Sequence, residues 1–156
     1  MGITLRARTA AMACAATMLA GCIVGLSAGG ASAESRVNHC GSSYTFLKSW
    51  PVKDGWYPYP TGGYIDVYYN SSNGYNCLTV RANDSGVSNA NHIQAGIRRH
   101  GAASYTLDGV GQNYKTYAGP VYASAPGACI DIYGELSYTG GEAGHATTAY
   151  ESVHCG

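Results

Sequence analysis

Two tripeptides near the ends of the chain, His39-Cys40-Gly41 and His154-Cys155-Gly156, bring the residue types of a zinc centre to both termini. A tetrahedral site would need both His and both Cys on one ion. Neighbouring residues of an extended strand point to opposite faces, which sets His39 against Cys40 and His154 against Cys155. No C-x-x-C or H-x-x-x-H spacing accompanies them. The reading is therefore disulfide chemistry at Cys40, Cys77, Cys129 and Cys155, with no metal and no cofactor. Four cysteines allow three pairings. Sequence does not choose among them, although Cys40–Cys77 with Cys129–Cys155 closes the shorter loops and is favoured.

Motifs for catalysis are missing. The part after the expected leader, 34–156, has no G-x-S-x-G (Gly25 to Gly29 spells one inside the leader's apolar run), and the chain has no H-E-x-x-H, no P-loop, no dinucleotide fingerprint and no EF-hand loop. No catalytic residue is assigned. A glycosidase needs two carboxylates flanking a groove, and Asp66 and Asp131, at equivalent places in two similar strands, are the one pair that suggests itself. Their expected role is a solvated face or a partner for a neighbouring Tyr or Arg81. The richest surface feature is Trp50-Pro51-Val52-Lys53-Asp54-Gly55-Trp56-Tyr57-Pro58-Tyr59-Pro60. Flat rings on a stiff loop can cover the apolar face of a sugar at low entropy cost. Trp56, Tyr57 and Tyr59 are thus the candidate ligand-binding residues, for a glycan, the cell wall or a protein partner. Trp50 is read as packing at one end of a sheet instead.

Composition narrows the classes. The 156 residues carry nine Lys and Arg against nine Asp and Glu. A nucleic-acid binder needs a basic face, which this balance does not supply. At the start, Arg6 and Arg8 precede an apolar, Ala-rich run over 10–28, and Ala31-Ser32-Ala33 follows. This is the pattern of a secretory signal peptide, residues 1–33, with cleavage before Glu34. Leu19-Ala20-Gly21-Cys22 is the competing signal: lipidation at Cys22 would tether the domain to a membrane. The apolar Ile23-Val24-Gly25-Leu26 that follows Cys22 favours ordinary secretion. The remaining domain, 34–156, keeps seven Lys and Arg against nine Asp and Glu, a net charge of −2. Export into an oxidising compartment agrees with the disulfide reading.

The elements that must position these residues read as β throughout. Tyr64-Ile65-Asp66-Val67-Tyr68-Tyr69-Asn70 alternates, Asn70-Ser71-Ser72-Asn73-Gly74 is a turn cluster, and 75–82 resumes as a strand, which together predict a hairpin. Further strands are expected at 44–50, 92–100, 114–123, 129–136 and 146–155, six or seven in all. Pro120 demotes its strand to an edge or a bulge. No stretch of eleven or more residues in the mature part keeps a helical apolar stripe free of Gly and Pro. The fold class is all-β: a single small antiparallel β-sandwich or barrel with two disulfides. Aliphatics are scarce beside fourteen Tyr, so the core is expected to lean on Tyr rings.

The segment Tyr117-Ala118-Gly119-Pro120-Val121-Tyr122 followed by Ala125-Pro126-Gly127-Ala128-Cys129-Ile130 resembles the signature of the spore-associated protein A family of actinomycetes. The opening His39-Cys40-Gly41-Ser42-Ser43-Tyr44, the hairpin from Tyr68 to Cys77 and the closing His154-Cys155 are similar to its pattern too, so the likeness spans residues 38–155. It implies a small exported protein at the spore or hyphal surface, with no activity or cofactor to carry over. The stretch 56–60 and Arg98-Arg99-His100 depart from that pattern, so a binding role there is not inherited. The expected function is a non-catalytic, secreted spore- or cell-surface protein. The alternative is a secreted binding module for glycan, cell wall or a protein partner that uses the aromatic loop.

Overall fold

The computed structural model describes residues 36–53, 62–83, 90–138 and 144–156. The expected leader, with Ala33 and Cys22, lies outside the described residues, and so do Trp56, Tyr57 and Tyr59. Among the described residues eight strands follow in order: β1 (Thr45–Val52), β2 (Gly63–Asn70), β3 (Tyr75–Ala82), β4 (Ala90–Arg99), β5 (Thr106–Asp108), β6 (Tyr117–Ser124), β7 (Ile130–Tyr138) and β8 (His145–Val153). They form two four-stranded antiparallel sheets, ordered β1-β2-β3-β6 and β5-β4-β7-β8. Neither closes on itself, so the sandwich holds and the barrel does not.

Alternation explains which residues face inward. On β2, Ile65 and Val67 point to the partner sheet; on β7, Ile130, Ile132 and Leu136 do the same. Leu78 and Val80 of β3 and Ile93, Ala95 and Ile97 of β4 complete the layer. The expectation of a Tyr-based core is overturned here. The space between the sheets is filled by Ile, Val, Leu and Ala, and among the described residues Tyr68 is the one fully buried tyrosine, in a separate cluster with Cys40 and Cys77. The physical reason is stoichiometric: seven strands of eight to ten residues and one of three present few inward positions, and the scarce aliphatics suffice to occupy them. The tyrosines go to the outer faces and rims, where their hydroxyls stay wet.

Local rules account for the edges. Pro51 lies on β1 and Pro120 on β6, the two outer strands of the first sheet, where a missing ladder donor is tolerated. At Pro120 both expected features occur, since the register with β3 also shifts between Leu78 and Val80. Gly134 lets the sheets approach closely. A Cβ there would lie 2.8 Å from Ile65 Cγ1 and 2.9 Å from Val52 Cγ2. Trp50, half-buried on β1, packs against the core, as read from the sequence. The three-residue β5 was not anticipated, because Thr106-Leu107-Asp108 is too short to show a period.

Both disulfides form in the favoured pairing, Cys40–Cys77 and Cys129–Cys155. The first ties the segment before β1 to the middle of β3. The second joins the start of β7 to the end of β8.

Candidate functional site

The polar chemistry gathers on the outward face of the second sheet. Inward positions of β7 are apolar, so its alternate residues Asp131, Tyr133 and Glu135 all face out. Register sets Arg98 opposite Asp131 and Gln94 opposite Glu135, and Thr147 beside Glu135 on the other flank. The row of Gln94, Glu135 and Thr147 thus crosses three strands.

Asp131 is fully buried at one end of this face. Arg98 Nε donates to its Oδ2 at 2.8 Å, while His100 Nδ1 lies 2.7 Å from Oδ1. The backbone amide of Ser152 donates to the same Oδ1 at 3.0 Å. That last contact has a backbone cause. The β7–β8 register skips between Ile130 and Ile132, and Ser152 adopts a left-handed φ of 52°, so a bulge turns its N–H inward. Burial pushes the Asp131 carboxyl up, but the Ser152 amide, His100 and Arg98 outweigh it and hold the group below its ordinary value of 3.8. The same hydrogen bond raises Arg98 above its usual range.

Ser152, His100 and Asp131 are the residue types of a nucleophilic triad, but the geometry is different. Ser152 Oγ sits 3.3 Å from Nδ1 and 3.2 Å from Nε2 of His100. Near-equal distances to both nitrogens put the hydroxyl off the Nε2 lone-pair direction, where a general base would need it. The carboxylate is also committed to Arg98 and to the serine's own amide.

Further along, His145 Nε2 donates to Glu135 Oε1 at 2.9 Å, and His92 Nε2 lies 3.6 Å from the same oxygen. His92 Nδ1 sits 2.8 Å from the Gln112 carbonyl, which only accepts, so Nδ1 carries a proton. Tyr133 donates its hydroxyl to Glu135 Oε2. Burial pushes Glu135 up, yet Tyr133, His145 and His92 together hold it below 4.5. Burial, then Glu135, drives the Tyr133 phenol well above its ordinary value of 10.0. Among the described residues, no group of three or more His, Cys, Asp or Glu is arranged to hold a metal ion.

The residues singled out from the sequence fall as follows. The sulfurs of the two His-Cys tripeptides are in disulfides, His39 stacks on Tyr117 at 3.8 Å, and His154 meets Tyr69 edge-on at 5.0 Å. They share no site. Asp66 and Asp131 lie on the outward faces of opposite sheets, pointing away from each other across the core. This overturns their reading as a glycosidase pair, which needs both carboxyls on one groove. Asp66 pairs with Arg81 Nε at 2.7 Å, the partner expected from the sequence, and accepts from Ser49. The similar strands β2 and β7 therefore repeat one device, a buried Asp held by an Arg on the next strand. Sequence reasoning missed His100 with Ser152 and the His92–Glu135–His145 group. Outward alternation along β4 and β7 was the signal for the second; the bulge that brings Ser152 to Asp131 leaves none.

The molecule defined by this geometry is a two-sheet antiparallel sandwich with one disulfide stapling each sheet and an ordered polar network outside. No protein-family model and no solved structure matches the chain. Spore-associated protein A of Streptomyces coelicolor is 32% identical to it over 114 residues, which cover 70% of this chain and 66% of that protein. That likeness supports the resemblance of this chain to the spore-associated protein A family. The chain spans just under two thirds of the length of that relative.

Proposed function

We propose that this protein is exported and resides at the spore or cell surface as a non-catalytic component. The observation that carries this reading is the relationship to a protein named for its association with spores. Physical features support it. Two disulfides suit an oxidising compartment. The N-terminal Arg6, Arg8, apolar run and Ala31-Ser32-Ala33 fit a leader removed before Glu34. The Ser152–His100 geometry is off-line for nucleophilic attack, and Asp131 already has three partners, so the polar network serves to lock β4, β7 and β8 together.

The test is fractionation of a sporulating culture. Washed spores, mycelium and medium are probed with an antibody to this chain, beside a deletion strain. Retention on washed spores or envelopes is the expected result. Recovery in the cytoplasm, or in the medium alone, contradicts it.

A further inference from the structure

The outward face of the first sheet carries a second surface, distinct from the polar network. Three segments build it: 37–47 before and within β1, 67–80 across the β2–β3 hairpin, and 116–130 along β6. None of them contains an Asp, Glu, Lys or Arg. What they do contain is tyrosine. Tyr75 and Tyr122 are 41% and 37% exposed. Register places Cys77 opposite Tyr122 and Tyr75 opposite Ser124, so the two rings are diagonal neighbours on one face. Tyr44 adds a third ring, its centroid 5.6 Å from that of Tyr122 and tilted by 59°. Burial and the nearby Tyr122 hydroxyl raise the Tyr44 phenol, while a hydrogen bond with Asn73 opposes them. The polar tips of Tyr44, Tyr122 and Asn73 therefore lie together.

This surface is held rigid from beneath. The Cys40–Cys77 disulfide passes under it, against the T-shaped pair of Phe46 and Tyr68 at 5.5 Å. Asn70 Oδ1 accepts from the Ser72 amide at 3.0 Å, and Asn73 Oδ1 accepts from the Tyr75 amide at 3.0 Å, fixing the turn that aims Tyr75. Asn38 Nδ2 donates to the carbonyls of Gly41 at 3.0 Å and Tyr44 at 3.1 Å, fixing the approach to β1. Little loop entropy remains to be lost on binding.

We propose that Tyr44, Tyr75 and Tyr122 form a binding platform for an uncharged polysaccharide. Sugar rings present C–H faces that lie against aromatic rings, and the phenols with Asn73 meet the hydroxyl rim. The absence of formal charge selects the class of polymer. A polyanion such as teichoic acid or nucleic acid is drawn by cations; the three segments carry none, and the sheet's nearby cations are engaged elsewhere, Arg36 over Phe46 and 3.6 Å from Asp66, Arg81 with Asp66 at 2.7 Å. The proposal deepens the surface-association reading and rests on it only for where the polymer and the protein meet.

The experiment measures retention of the purified mature domain on insoluble chitin and cellulose, two uncharged β-linked polymers, at low salt and at about 1 M NaCl, where charge attraction is screened. Retention on at least one polymer, unchanged by salt, is expected. Tyr75→Ala/Tyr122→Ala should weaken it by about tenfold, and Tyr75→Phe/Tyr122→Phe should keep most of it. Trp56→Ala/Tyr57→Ala/Tyr59→Ala should bind like the wild type. Thermal melts check folding; if the double Ala variant melts early, Tyr75→Ser alone carries the test, with an expected loss of about threefold. No retention on either polymer, retention abolished by salt, or loss confined to the 56–59 variant overturns the proposal. Spore fractionation is independent of all these outcomes, so the platform can fail while the surface location stands.

Discussion

Asn76 is fully buried on β3, facing inward, and neither atom of its carboxamide finds a partner among the described residues. An unpaired buried polar group costs about 1–3 kcal/mol. Asn76→Leu, close in shape, should therefore raise stability by about 1 kcal/mol in urea titration; a lower midpoint would show that the carboxamide is held by an internal hydrogen bond. The paired groups behave in the opposite sense. Asp131 and Glu135 have folded values below 3.8 and 4.5, so the stability they confer is complete above those values and drains away as pH falls below them. Burial depresses His154 below 6.5, and its share is lost in the same direction but from a higher pH. Melting temperature should thus decline mildly on going from pH 7 to about 5, then steeply below about 4. In Asp131→Asn the steep part should flatten; an unchanged acid limb would contradict the assignment. Of the buried pairs only Asp66 with Arg81 was legible beforehand, from their places in adjacent strands; the partners of Asp131 and Glu135 depend on register and on one bulge.

Strands were legible and their partners were not. Seven elements follow from alternation and turn residues, with ends displaced by at most three positions: the strand expected at 75–82 is found there, and the one expected at 114–123 is found at Tyr117–Ser124. The hairpin of β2 and β3 is local, and its four-residue turn follows from Asn70 to Gly74. The pairing of β3 with β6, and of β4 with β7, joins segments far apart in sequence. No period encodes such crossovers. Gly134 shows what the pairing demands: its strand reads as an ordinary amphipathic one, and only the packed sandwich reveals that a methyl group there meets Ile65 and Val52. Gly134→Ala should destabilise by about 1–3 kcal/mol through overpacking. A wild-type midpoint in chemical denaturation would mean that the sheets separate more easily than drawn.

At the scale of the molecule, two disulfides add to the stability of a small aliphatic core. By chain entropy each stabilises the fold by about 3–4 kcal/mol, with the origin of that gain model-dependent. They differ in access. Cys40 and Cys77 are buried, whereas Cys155 is exposed. Mild reductant should open Cys129–Cys155 first, which trapping with iodoacetamide and peptide mass mapping would reveal; equal rates would contradict the burial difference. The same partition separates a polar, networked face on one sheet from an uncharged tyrosine face on the other. The sequence pointed to an aromatic loop for binding because its Trp residues stand close together. Tyr44, Tyr75 and Tyr122 are scattered over the chain and meet only through the fold.

The central claim, an exported and disulfide-stapled protein at the surface, is tested most directly by intact-mass spectrometry of the chain released from washed spores. The predicted mass is that of a chain beginning at Glu34 with Cys40, Cys77, Cys129 and Cys155 all oxidised. A chain that retains residues 1–33, or one with four free thiols, or its absence from the spores, would contradict the account.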